Sequence, residues 1–255
     1  MSAQPQEACL TVVPTHRSKT TLRLAAIGLG LCGAALLLSE PALARGRRGG
    51  GRPPGEQPQA QPGSFDYYVL SLSWSPQFCY NRAAPANDPQ CGDGKQFGFI
   101  AHGLWPQLER GFPQFCGGAS QPESSLVQKM LRIMPSPKLI QHEWEKHGTC
   151  SGLTADSYFQ KLETMFAGLK IPEAYRAPKA EVQTSVKELR QALITSNPGL
   201  AGDQFAVLCQ DGNYLQEIRI CYTKESTLRR CGFGGGLKDN CQGLKLLLRP
   251  VRGAN

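Results

Sequence analysis

The chain has 255 residues, of which 40% are hydrophobic and 19% charged. That composition excludes a wholly disordered chain and supplies apolar side chains for one large core or two small ones. The 28 basic side chains exceed the 20 acidic ones, for a net charge of +8. This balance suits a polyanionic partner without identifying one.

The N-terminus reads as a targeting segment. His16, Arg17, Lys19 and Arg23 form a basic stretch, and Leu24 to Leu38 is apolar. The apolar run has the length of a signal-peptide core and is short for a membrane span. Pro41-Ala42-Leu43-Ala44 then supplies an A-x-A cleavage pattern. Residues 1–44 are therefore read as a signal peptide cut after Ala44, which leaves no membrane span behind. Residues 45–63, RGRRGGGRPPGEQPQAQPG, are too rich in Gly, Pro and Arg to bury a core, and read as a disordered linker. Residues 64–255 follow as one domain.

That domain carries Cys79, Cys91, Cys116, Cys150, Cys209, Cys221, Cys231 and Cys241. An even set behind a signal peptide predicts four disulfides and a secreted or periplasmic location. There is no C-x-x-C, which argues against a structural zinc ribbon.

In chain order, Asp66 to Trp74 is predicted as a strand, with Leu70, Leu72 and Trp74 facing a core and Ser71 and Ser73 facing away. Pro76 should end it. Phe97 to Ala101 reads as a second, short strand with His102 at its end. Ser120-Gln-Pro-Glu123 predicts a capping box and a helix to about Met134. Pro137 can open a helix that runs to His147, with Gly148 just beyond. Helices are predicted over 154–169 and 178–196. A hairpin follows, 205–209 and 214–222 around Asp211-Gly212-Asn213, then a last strand over 244–248. Strands at both ends and helices between them predict an α+β fold, a central antiparallel sheet with several helices packed on it. No internal repeat is present.

The stretch His142-Glu-Trp-Glu-Lys-His-Gly-Thr-Cys150 concentrates titratable groups. A zinc protease motif places two histidines four residues apart on one helix face. Here they are five apart and point roughly 140° from each other, with Lys146 between them. That spacing disfavours a zinc pair, and no metal or other cofactor is assigned to this stretch. The same wheel puts His142, Glu143, Lys146 and His147 on one broad stripe and leaves Trp144 and Glu145 outside it. Two imidazoles, a carboxylate and an ammonium make an acid–base surface with a fixed charge for an anion. They could equally make a solvated charged helix face.

A second segment, Phe99-Ile-Ala-His-Gly-Leu-Trp-Pro-Gln107, adds His102 and Trp105. A glycine beside the histidine allows close approach, and Trp105 offers a stacking platform for a base. Together, FIAHGLWPQ and HEWEKHGTC resemble the two catalytic segments of the ribonuclease T2 family, in the family's order. DYYVLSLSWSPQFC resembles its first strand and first cysteine, and CQDGNYLQEIRICYTKE its late strand pair. The resemblance covers Phe65 to the C-terminus.

That resemblance implies a secreted endoribonuclease acting on single-stranded RNA without metal. Transesterification would proceed through a 2′,3′-cyclic phosphate to 3′-phosphate ends. By motif position, His147 would be the base, His102 the acid and His142 a phosphate ligand. Lys146 and Glu143 would stabilise or orient the pentavalent species. Trp105 would stack on a base, and Phe112 could supply another stacking face. Gln107 stands where some members carry an acidic residue, and Leu139 where some carry an aromatic, so low base specificity is expected. The implied disulfides are Cys79–Cys91, Cys116–Cys150, Cys209–Cys241 and Cys221–Cys231. Gly232 to Gly236 reads as a flexible loop between cysteines, not a phosphate cradle. A monomer is expected. The competing readings are a catalytically idle RNA-binding protein on the same fold and a secreted zinc hydrolase.

Overall fold

The first strand sets the architecture because both of its faces are apolar enough to bury. It spans Tyr67–Trp74 (β1), and all eight of its residues are buried. Tyr68, Leu70, Leu72 and Trp74 enter the main core, while Tyr67 and Val69 pack on the opposite face with Cys221, Trp105 and Leu237. The serines of the supposed outer face are therefore covered as well, with Ser71 fully buried. This computed structural model describes residues 61–80, 82–118, 120–232 and 237–252. The expected signal peptide, residues 45–60 of the expected linker, and Phe233 to Gly236 of the glycine-rich loop lie outside the described residues.

β1 pairs antiparallel with β2 (Phe99–Gln107) on one side and with β5 (Tyr214–Tyr222) on the other. β4 (Phe205–Gln210) also pairs with β5, forming the expected hairpin. β6 (Leu246–Leu248) pairs antiparallel with β3 (Val182–Thr184) and meets β5 through one parallel bridge, Tyr214 to Leu247. The sheet is thus mixed, where an antiparallel one was expected. β2 runs six residues past the expected end at Ala101. Pairing with Tyr67 to Ser71 of β1 carries it through the His-Gly interruption.

Among the described residues, six α-helices cover the core face or link it. A helix, α1 (Ser75–Tyr80), follows β1 directly, so Pro76 lies in its first turn. α2 spans Ser124–Met130 and α3 Pro137–Lys146. The capping box expected at Ser120 does not form. The Ser120 carbonyl instead accepts from Trp144 Nε1 at 2.9 Å, and Glu123 is the helix cap, without a side-chain bond. α4 spans Ala155–Gly168, capped by Thr154, and presents Tyr158, Phe159, Leu162 and Met165 to the core as one stripe. The short α5 (Glu173–Arg176) has no counterpart in the sequence reading. α6 (Val186–Ser196) begins eight residues later than expected, because Ser185 and Glu188 form a reciprocal capping box and β3 precedes it.

The disulfides are Cys79–Cys91, Cys116–Cys150, Cys209–Cys241 and Cys221–Cys231, the pairs that the resemblance implies. Gly63, at the end of the expected linker, donates its N–H to the Cys150 carbonyl at 2.9 Å.

Candidate active site

The site forms where β2, β5 and the C-terminal end of α3 converge. Each contributes through a local feature of its sequence.

β2 carries a bulge. Gly103 pairs with Ser71 and Ala101 with Leu72, so His102 is the extra residue between them. A bulge interrupts the two-residue alternation and re-aims a side chain. His102 thereby leaves the core-facing row and turns its ring toward the cavity that Trp105 also lines. Gly103 is required on packing grounds. A Cβ there would overlap the Glu143 carboxylate and the Trp105 indole nitrogen.

α3 starts at Ser136, whose hydroxyl accepts from Leu139 N, and Pro137 fits the first turn. The helix ends at Lys146 and His147 is its C-cap. Gly148 follows, because a Cβ there would enter the Trp144 ring. Two ties fix this end. Phe115 N donates to the Lys146 carbonyl at 2.9 Å, and the Cys116–Cys150 disulfide joins the same loop to the turn after His147.

The expected stripe is present. His142, Glu143, Lys146 and His147 line one cavity of about 270 Å³ together with His102, Trp105, Gln107 and Phe112. Trp144 lies in the core and Glu145 bonds to Gln121 and Gln141 outside the cavity. Every residue expected at the site is thus in one place. Trp105 is hemmed in, with the His102 and His147 rings each 5.3 Å away. Phe112 is the open ring, 47% exposed.

Two members were missed by the sequence reading, Glu217 and Arg219 on β5. Glu217 bonds His102 Nδ1 in a short contact. Arg219 Nε donates to Glu217 Oε2 at 2.8 Å, and its guanidinium carbon lies 4.9 Å from the Trp105 ring centre. The signal was available in principle: two residues apart on a strand, both side chains share a face.

On the other side of His102, Glu143 Oε1 lies 3.8 Å from Nε2, while Glu143 Oε2 accepts from Trp105 Nε1 at 2.7 Å. The His102 ring thus sits between two buried carboxylates. Burial disfavours its charged form, but the Glu217 bond and the charges of Glu217 and Glu143 outweigh that, so its pKa is raised. Glu143 is pushed up to about 7 by burial, against the pull of His102, Trp105 and Lys146. His147 is held down at about 3 by burial and by the nearby cations, Lys146 first among them. Its Nδ1 is buried with no hydrogen-bond partner among the described residues.

The arrangement therefore sets an imidazole that favours its proton and one that favours the neutral form beside the same indole. That is the division an acid–base pair needs.

The family model for ribonuclease T2 matches residues 65–231. The chain belongs to the ribonuclease T2 family. Membership makes it an endoribonuclease. A ribonuclease from Aeromonas hydrophila is 33% identical over 179 residues, covering 67% of this chain and 78% of that protein. A probable ribonuclease from Haemophilus influenzae is 37% identical over 180 residues, covering 65% of this chain and 61% of that protein. The fold is also that of RNase NT, solved in complex with 5′-AMP. The TM-score is 0.58 at 24% identity, covering 73% of this chain and 99% of that one.

Proposed function

We propose that this ribonuclease T2 protein cleaves single-stranded RNA by metal-independent transesterification, with His147 as base and His102 as acid. The observation that carries the assignment is the opposite displacement of the two imidazoles. His102 is raised by its carboxylates, and His147 is lowered to about 3 by burial and cations.

In the first step neutral His147 takes the proton of the 2′-hydroxyl, and the 2′-oxygen bonds to phosphorus. The bond from phosphorus to the 5′-oxygen breaks, and His102 gives that oxygen its proton. A 2′,3′-cyclic phosphate results. In the second step the roles exchange. His102, now neutral, takes a proton from a water whose oxygen bonds to phosphorus; the bond from phosphorus to the 2′-oxygen breaks, His147 returns its proton to that oxygen, and a 3′-phosphate is left. Because His147 Nδ1 is buried, Nε2 is the working nitrogen. An incoming phosphodiester adds negative charge beside His147 and lifts its basicity toward the working pH. Lys146, His142 and Arg219 line the cavity, and donors placed there would stabilise the charge that develops on the phosphorane oxygens. Glu143 holds the Trp105 indole and balances the charge on His102.

Low base specificity fits the lining. The buried Gln107 amide is bonded to the Pro106 carbonyl, and among the described residues Glu143 is the only carboxylate in the cavity wall. Phe112 serves as the open stacking face, with Trp105 as the wall behind it. Four disulfides support a working location outside the reducing cytoplasm, secreted or periplasmic.

Product analysis tests the reading. The oxidised protein is incubated with single-stranded RNA in excess EDTA, beside His102→Ala and His147→Ala. Ends carrying 2′,3′-cyclic phosphate, lost in both variants, are expected. Cleavage that stops in EDTA and returns with zinc contradicts it. RNA binding by the folded protein without turnover also contradicts it.

A further inference from the structure

The acid in this reaction needs more than a histidine at the right place. It needs a ring that holds its proton and keeps Nε2 toward the leaving oxygen. We infer that Glu217 is the positioning residue for His102, gripping Nδ1 from β5 so that Nε2 faces the cavity, and that Arg219 limits how strongly it does so. The inference rests on the proposed role of His102 as proton donor.

Four observations carry it. First, His102 is the bulged residue of β2. Its backbone alone leaves the side chain without the neighbours a regular strand position would give it, so something must orient the ring. Second, Glu217 is the group that does so, bonding Nδ1 through Oε1. Third, Glu217 is buried at 4% exposure although it is a carboxylate, with Ile218 beside it and Ser73 and Leu208 opposite it on the adjoining strands. A buried charge persists when it is paired and hydrogen-bonded. Its partners are His102 on one oxygen and Arg219 on the other. Fourth, the three side chains form one line, Arg219 to Glu217 to His102, and that line ends in the cavity. A carboxylate behind an imidazole fixes its tautomer and orientation and stabilises the imidazolium.

The other charged groups around His102 do not replace Glu217. From α3 and its cap, Glu143 lies 3.8 Å from Nε2, and His142, Lys146 and His147 line the same cavity. Glu143 is on the substrate side of the ring and is already bonded to Trp105. On the far side, Arg82, Asp88 and Lys138 line a second cavity that His102 also borders. Among the groups described here, Glu217 alone bonds Nδ1. Arg219, on the same strand, opposes the charged form of His102 by its own charge, while its bonds to Glu217 keep that carboxylate ionised.

Charge and orientation can be separated. Glu217→Gln keeps an oxygen that accepts from Nδ1 and removes the negative charge. Glu217→Asp keeps the charge. Arg219→Met removes the opposing cation from a partly exposed position, and so guards against a Glu217 variant that fails to fold. His102 titration would be followed in the full chain by NMR of labelled histidine Cε1, beside the pH dependence of kcat/KM. The alkaline limb of that profile reports loss of the proton that the acid must carry.

Glu217→Gln is expected to lower the His102 pKa and move the alkaline limb to lower pH by the same amount. Glu217→Asp is expected to restore most of both. Arg219→Met is expected to move both the other way. An unchanged His102 titration in folded Glu217→Gln, or no movement in Arg219→Met, overturns the inference. If His102 titration shifts as stated but the alkaline limb stays in place, the Glu217 grip stands and the assignment of His102 as the acid fails.

Discussion

Removing the Cys116–Cys150 disulfide should damage catalysis as well as stability, because this bond reaches the helix end that carries Lys146 and His147, the residues proposed to act. The closed loop spans 34 residues. Chain entropy alone then gives about 4 kcal/mol of lost stability in the double variant Cys116→Ala/Cys150→Ala. The catalytic effect has a separate origin. Cys150 lies three residues after His147 and donates its N–H to the His147 carbonyl, while Phe115, next to Cys116, caps Lys146. Loosening this tie lets Lys146 and His147 drift, and misplacement by about 1 Å can cost roughly 100-fold in rate. The control is Cys209→Ala/Cys241→Ala, which opens a loop of 32 residues and should lose nearly the same stability. Those cysteines do not line the cavity. Urea unfolding and single-turnover cleavage would be measured on both, below the temperature at which either unfolds. A large drop in turnover for the first pair and a small one for the second is expected. Equal stability losses with unchanged turnover in the first pair would refute the link between this disulfide and the site.

Two further outcomes follow from the geometry. Gly103→Ala places a methyl group where the Glu143 carboxylate and the Trp105 indole nitrogen meet. Turnover should fall by about 100-fold with the fold retained, by the same misplacement argument, and wild-type rates in a folded Gly103→Ala protein would contradict that packing. The free-enzyme kcat/KM should fall as pH rises through the raised His102 value above 6.5, and fall again in acid as His147 titrates near 3. The same His147 value has a stability sign. Its depressed pKa contributes stability above the unfolded value of 6.5 that is lost as pH falls toward about 3. Raised Glu143 acts oppositely, with stability present below 4.5 and lost as pH rises through about 7. His147→Gln should therefore flatten the acid side of a urea-midpoint profile, and an unaltered acid slope would count against a buried neutral His147.

Much of the site was legible in the sequence because it lies on one helix. The spacing of His142, Glu143, Lys146 and His147 fixes their common face, and that face lines the cavity. What the spacing could not give was the surroundings. His102 was read as a strand end because His-Gly interrupts an apolar run. Pairing with β1 continues the strand and makes His102 its bulge. Glu217 and Arg219 lie over 110 residues from His102 in the chain, and only the order β2-β1-β5 brings their strand to the site. The second face of β1 was read as solvent-facing from its serines. It is buried because Trp105, Leu237 and the Cys221–Cys231 bond cover it. The late helix starts at Val186 rather than near Pro178 for a local reason, the reciprocal capping box of Ser185 and Glu188.

The central claim is that His102 protonates the leaving 5′-oxygen and His147 takes the proton of the 2′-hydroxyl. A dinucleotide with sulfur in place of the bridging 5′-oxygen tests it most directly, because a thiolate departs without protonation. Cleavage rates would be measured for the wild-type protein, His102→Ala and His147→Ala on the oxygen and sulfur substrates. The account predicts that sulfur restores most of the rate lost in His102→Ala and little of that lost in His147→Ala. Equal rescue of both variants, or rescue of His147→Ala alone, would contradict it.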